Sequence, residues 1–230
     1  DNERDYPLVS LSKDGSIIAI GSPDNDDVGI NSGHARIFQN INNTWTQIGS
    51  DIDGDKAGHL AGSSISLSGN GKKVAIYMGK SGLYDAGKTR VFENIDNKWV
   101  QAGKDITGEY RSNILGSGIL SDDGSRFFCL AYDLSNDDYV LKVHIYDLVN
   151  NTWQKDHTIF SKNNLSFSRH FNAESDPPNS AQGASTGYSV TASGDGSVVA
   201  LSENTDYEEG FGTGRVKYEV RGGAARSRHG

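Results

Sequence analysis

Ser64-Ile65-Ser66-Leu67, Asn70-Gly71, Lys73-Val74-Ala75-Ile76-Tyr77, Thr89-Arg90-Val91-Phe92 and Lys98-Trp99-Val100-Gln101 follow one another in a single stretch. Ser64 to Leu67 alternates polar and apolar, the period of a half-buried strand. Asn70-Gly71 is a strong hairpin signal, expected to form a type I′ turn because both residues tolerate positive φ. Lys73 to Tyr77 is the return strand. A glycine-rich loop from Gly79 to Gly87 leads to a third strand, Thr89 to Phe92. Asn94 to Asn97 make a second polar turn, Lys98 to Gln101 a fourth strand, and Asp105-Ile106-Thr107-Gly108 an exit to whatever follows. No helical pattern competes.

The same order recurs on both sides. Trp45, Trp99 and Trp153 are each 54 residues apart, and Arg36-Ile37-Phe38 returns as Arg90-Val91-Phe92 and as His144-Ile145-Tyr146. First turns recur at Asp14-Gly15, Asp123-Gly124 and Asp195-Gly196, and second turns at Asn40 to Asn43 and Asn150-Asn151. Self-similarity at a fixed step of about 40–50 residues marks a propeller or repeat array. Four antiparallel strands per unit give the blade of a β-propeller, and blades stack because one alone cannot bury both faces. The fold class is therefore all-β.

The units fall at about 6–60, 61–114, 115–184 and 185–220, within a repeat domain covering 1–220. Gly116 to Gly187 spans 71 residues, 17 more than the step, and the surplus reads as a long loop over 160–183 containing Pro177-Pro178. A fourth Trp falls due near 224, where Ala224 stands, so the fourth unit is expected to lack its outer strand. Residues 221–230 are basic and read as an unstructured tail. About 3.7 blades make an open arc, part of a larger propeller, with apolar faces that invite self-association.

Composition bounds the partners. Only 35% of the chain is hydrophobic and 28 residues are Gly, which suits short strands joined by turns. A formal charge of −8 argues against nucleic acid and anionic membrane. No apolar stretch reaches the length of a membrane span, and the opening residues read as no signal peptide. A chain opening at Asp1 is read as a mature product or an excised fragment. Cys129 is alone, inside the apolar run Phe127 to Ala131, and reads as a buried small hydrophobe.

Gly62 to Ile76, Gly87 to Phe92 and Trp99 to Gly108, with their counterparts Val9 to Ile20, Gly33 to Phe38 and Trp45 to Gly54, resemble a family of repeats in secreted and surface proteins. That family is similar to the FG-GAP repeats of integrin α-chain propellers. The Ser-x-Asp-Gly turns and Val143-His144-Ile145-Tyr146-Asp147 also resemble WD40 and TolB-type blades. The resemblance implies an extracellular or cell-surface location and loops of the kind that hold Ca2+.

Candidate chemistry is sparse. Gly82 to Thr89 fits the phosphate-loop pattern, but that loop needs a following helix and Thr89 opens a strand. The loops between second and third strands are acidic in three units, with Asp24, Asn25, Asp26 and Asp27 in the first, Asp133, Asn136, Asp137 and Asp138 in the third, and Asn204, Asp206, Glu208 and Glu209 in the fourth, while the second has only Asp85. Calcium favours several oxygens from one flexible loop, so Asp24, Asp26, Asp133 and Asp137 are its candidate ligands. The six histidines show no metal-ligand spacing, and no catalytic constellation is legible. Asn42, Asn150 and Asn164 each begin a glycosylation sequon. The function expected is a non-catalytic extracellular binding module that presents variable loops to a protein or glycan. The alternative is a non-catalytic fragment of a larger propeller-containing hydrolase.

Overall fold

A computed structural model of the chain describes residues 8–79, 87–108, 113–136, 138–160, 188–203, 215–220 and 226–228. The first sheet holds β1 (Leu8–Leu11), β2 (Ile17–Ser22), β3 (His34–Ile41), β4 (Thr44–Gln47) and the short β5 (Ile52–Asp53). The second holds β6 (Ala61–Leu67), β7 (Lys73–Met78), β8 (Lys88–Ile95), β9 (Lys98–Gln101) and β10 (Ile106–Thr107). The third is β11 (Asn113–Leu120), β12 (Arg126–Asn136), β13 (Asp138–Val149) and β14 (Thr152–Phe160). The fourth is β15 (Tyr188–Ala192), β16 (Val198–Glu203), β17 (Arg215–Val220) and β18 (Arg226–Arg228). Every strand pairs antiparallel with its neighbour, and no helix occurs among the described residues. The sheets pack first on second, second on third and third on fourth, through inner strands β1, β6, β11 and β15, and form an open arc.

The recurrent tryptophans take equivalent places. Trp45, Trp99 and Trp153 lie on β4, β9 and β14, opposite Asn40, Asn94 and Leu148. Trp99 Nε1 donates to the Ile48 carbonyl of the preceding sheet at 2.8 Å, and Trp153 Nε1 to the Ala102 carbonyl, also at 2.8 Å. The indoles lie against Gly49 and Gly103, whose φ of +74° and +79° would strain any side chain. A Cβ at Gly49 would stand 2.6 Å from Trp99 Cδ1. The outer strands β9 and β14 are thus latched to the sheets before them.

The core lies between successive sheets. Ala19 and Ile37 of the first sheet meet Leu67, Val74 and Ile76 of the second. Ala75 and Val91 meet Phe127 and Cys129, and Phe128, Leu130 and Ile145 meet Val190 and Val199. Serines of the inner strands add a recurring link: Leu67 N–H donates to Ser10 Oγ, and Leu120 N–H to Ser66 Oγ. Nothing among the described residues covers the corresponding face of the first sheet. Leu11 is 55% exposed, whereas its counterparts Leu67 and Leu120 are 5% and 8% exposed. Trp45 is 46% exposed for the same reason.

Three sequence expectations are corrected. The type I′ turns do not sit at the Asp-Gly and Asn-Gly hairpins. They sit between third and fourth strands, where Asn42-Asn43, Asp96-Asn97 and Asn150-Asn151 all have positive φ. At Asn70-Gly71 only the glycine does. There Asn70 Oδ1 accepts from the Ser68 hydroxyl and the Lys72 N–H, and Ser68 Oγ accepts from the Lys73 N–H, so side chains shape a longer connection. Secondly, Asp105 to Gly108 does not simply leave the sheet: Ile106-Thr107 pairs with β8, as Ile52-Asp53 pairs with β3. Thirdly, the tail is not strandless, because Arg226–Arg228 pairs with β17. An outer strand is held by backbone hydrogen bonds, and it can form without the apolar alternation that marks inner strands. The long loop expected over 160–183 lies, apart from Phe160, outside the described residues.

Candidate functional site

The antiparallel pairing divides the loops between two rims. One carries the turns after first and third strands. The other carries the loops between second and third strands and the connections from sheet to sheet.

The first rim is uniform. Asp14 Oδ1 accepts from the Ser12 hydroxyl, the Ser16 hydroxyl and the Ser16 N–H. Asp123 and Asp195 repeat this with Ser121 and Ser125, and with Ser193 and Ser197. The turns also bond one to the next: Lys13 N–H to Gly69 O, Asn70 N–H to Asp122 O, and Asp122 N–H to Gly194 O. These hydroxyls and amides favour the charged carboxylate and hold Asp14 and Asp195 down at about 2.

On the second rim the described residues of the first two sheets differ. In the loop of 23–33, Asp26 Oδ1 accepts from the Asn31 N–H at 2.7 Å and Asn25 Oδ1 from the Asp27 N–H at 3.0 Å. This loop brings Asp27 to His34, the first residue of β3. Asp51, in the connection between β4 and β5, approaches from the other side. His34 Nδ1 lies 3.5 Å from Asp27 Oδ2 and 3.9 Å from Asp51 Oδ2. His34 is 3% exposed and its Nδ1 has no hydrogen-bond partner. Asp51 is held by Arg36, whose Nε stands 2.8 Å away, and by Gln47 Nε2 at 2.6 Å. The Arg36 guanidinium keeps the Asp51 carboxyl below its ordinary range.

Next to this group, Asp55 clamps the second sheet to the first. It accepts from Arg90 through both oxygens, at 2.6 and 2.8 Å, and from Lys88 Nζ at 2.8 Å. Arg90 lowers the Asp55 carboxyl far below its usual value, against a smaller opposing effect of burial. The Asp55 N–H donates to His59 Nδ1, and burial pushes the His59 imidazole down toward its neutral form. A groove of about 330 Å³ runs beside the clamp, lined by Asp51, Asp53, Arg90, Lys98 and Trp99 among others.

Of the metal ligands expected from sequence, Asp24 and Asp26 lie in the 23–33 loop but outside the Asp27, His34 and Asp51 group. Asp133 falls on β12, and its side chain and Asp137 lie outside the described residues. Asn42 and Asn150 are exposed at turns; Asn164 lies outside the described residues. Cys129 is fully buried, and burial pushes its thiol up to about 12, so it is no nucleophile near neutral pH. The sequence reading passed over His34. The signal was available in the repeat: His34 occupies the place of Lys88 and Lys142 at the 54-residue step.

These carboxylates set the acid response. A carboxyl lowered in the folded state contributes stability that is present above its unfolded pKa, about 4, and is lost as pH falls through the folded value. For Asp14 and Asp195 that window closes at about 2. The melting temperature is expected to fall between about pH 4 and pH 2. Asp55→Asn should lower it at neutral pH and flatten the acid slope. Thermal melts of the two proteins across that range check this, and parallel slopes would contradict it.

No protein-family model matches the chain. No curated protein sequence matches it. Among solved structures, the hydrazine synthase of Kuenenia stuttgartiensis aligns with a TM-score of 0.54 at 13% identity, over 97% of this chain and 53% of that one. The β-propeller domain of the Trilobed protease from Pyrococcus furiosus, which has an open velcro topology, aligns with a TM-score of 0.54 at 9% identity, over 96% of this chain and 56% of that one. The chain thus spans about half the length of each. Identities this low speak for fold alone, and the fold is a β-propeller.

Proposed function

We propose that this chain is a non-catalytic binding module, extracellular or at a cell surface, which takes a protein or glycan ligand on its second rim. The observation that carries the reading is the contrast between rims. All four first turns use one hydrogen-bonded design, whereas the first two sheets differ at one repeat position of the other rim, where the buried His34 of the first stands in the place of Lys88 and its bond to Asp55 in the second. Variable loops on a rigid scaffold are where recognition usually resides. The repeat resemblance to FG-GAP and TolB-type blades supports the same reading, and the exposed sequon residues Asn42 and Asn150 suit a secreted glycoprotein. No helix among the described residues is long and apolar enough to cross a membrane. The alternative, a non-catalytic part of a larger propeller-containing hydrolase, is supported by the fold shared with the Trilobed protease propeller.

The test is a glycan array and a cell-surface binding assay with the whole chain and two loop variants. Replacing residues 24–30 by a Gly/Ser segment should abolish binding. Replacing Lys13 and Lys72, on the opposite rim, by serine should leave it intact. Binding that survives the first change, or that fails only after the second, would overturn the assignment of the rim.

The uncovered face of the first sheet belongs to the same proposal, as a surface for self-association. In size-exclusion chromatography with light scattering, the mass should exceed 24.8 kDa and rise with concentration. Leu11→Ser combined with Trp45→Ser should return it to the monomer value. A monodisperse wild-type monomer at all concentrations would contradict it.

A further inference from the structure

The first and second sheets place different charges at one repeat position. His34 pairs with Ser22 and Asp53, and Lys88 pairs with Met78 and Thr107 in the same register. In the second sheet the Lys88 ammonium reaches Asp55 at 2.8 Å and Asp105 at 3.4 Å. In the first sheet the carboxylates are Asp27 and Asp51, and an imidazole stands in place of the ammonium. Among the described residues Arg36 is the one fixed cation bonded to this group, and it also feels Asp27, Asp51 and Asp53. Three carboxylates against one guanidinium leave an excess of negative charge beside a buried nitrogen lone pair or N–H without a hydrogen bond. A buried polar atom left unpaired is destabilising, so the position calls for a partner.

We propose that Asp27, His34 and Asp51 form a binding site for a divalent transition-metal cation of the Zn2+ type. The three ligand atoms already lie within 4.8 Å of one another. One imidazole nitrogen with two carboxylate oxygens suits zinc and its neighbours. It suits calcium poorly, because calcium takes about six to eight oxygens. Three protein ligands leave a coordination position for water or for an oxygen of a bound ligand. Arg36 and Gln47 hold the Asp51 carboxylate in place, the role that outer hydrogen-bond partners play for ligating carboxylates. The cation would fix the 23–33 loop to β3 as Lys88 fixes the 53–55 connection to β8.

The competing occupant is a proton, which would make His34 an imidazolium between the same two carboxylates. Calorimetric titration of the whole chain with ZnCl2, and the visible d–d bands on adding CoCl2, separate the two. The expected result is saturable uptake of one metal per chain, with His34 Nδ1 reporting coordination in long-range 1H–15N NMR spectra. His34→Lys copies the second sheet and is expected to keep the fold while losing the metal. Asp96→Asn, a carboxylate on the opposite rim, should bind as the wild type does, and excess CaCl2 should not compete. Absence of stoichiometric uptake, an Nδ1 signal showing protonation alone, or unchanged uptake by His34→Lys would each overturn the proposal.

Discussion

Replacing Trp99 by alanine is expected to destabilise the chain by about 2–4 kcal/mol, and replacing Trp45 by less than about 1 kcal/mol. The two residues occupy the same repeat position, so the difference measures the neighbour rather than the side chain. Trp99 packs against Gly49 and donates to the Ile48 carbonyl, and its loss leaves both a hole and an unpaired carbonyl between sheets. Trp45 is 46% exposed and lies on the uncovered face. Trp153, bonded to the Ala102 carbonyl, should behave like Trp99. For a chain of this size each kcal/mol is worth about 2–4 °C in melting temperature, so thermal melts resolve the pattern easily. Equal losses for all three alanine variants would mean that the sheets do not stack in this order.

Gly21→Val is expected to cost about 3 kcal/mol, at the upper end for overpacking. Gly21 of β2 and Gly62 of β6 stand back to back, and a Cβ on Gly21 would collide with the Gly62 carbonyl oxygen. This is backbone against backbone, and no rotamer change relieves it. Because each sheet contacts mainly its neighbours, the damage should be local. Hydrogen exchange should show β2 and β3 losing protection while β12 and β13 keep theirs. Wild-type stability in this variant would place the first two sheets further apart than described.

How much of this was legible follows from what the repeat repeats. The strands were readable because alternation and turn residues are local signals, and Trp99 fell on its strand as the pattern required. The hairpin types were not, because Asn70-Gly71 and Asp96-Asn97 both favour positive φ. What separates them is the Ser68 hydroxyl and the Asn70 side chain, which cap one connection and not the other. The short pairings of Ile52-Asp53 and Ile106-Thr107 escaped notice because two residues carry no period. The His34 group escaped for a different reason. Its members come from a loop, a strand end and the connection after β4, and only the fold brings them together. A comparison of His34 with Lys88 along the 54-residue step was the one clue in the sequence, and its meaning depended on knowing that acids faced both.

The central structural claim is that the outer strands β9 and β14 are latched through their indoles to the preceding sheets, and that β4 of the first sheet has no such neighbour among the described residues. Hydrogen exchange of the three indole N–H groups, followed by NMR at high dilution, tests it most directly. Trp99 and Trp153, whose Nε1–H groups donate to Ile48 and Ala102, should exchange slowly, and Trp45 should exchange fast. Three indoles exchanging alike, or Trp45 protected as strongly as the other two at every dilution, would contradict it.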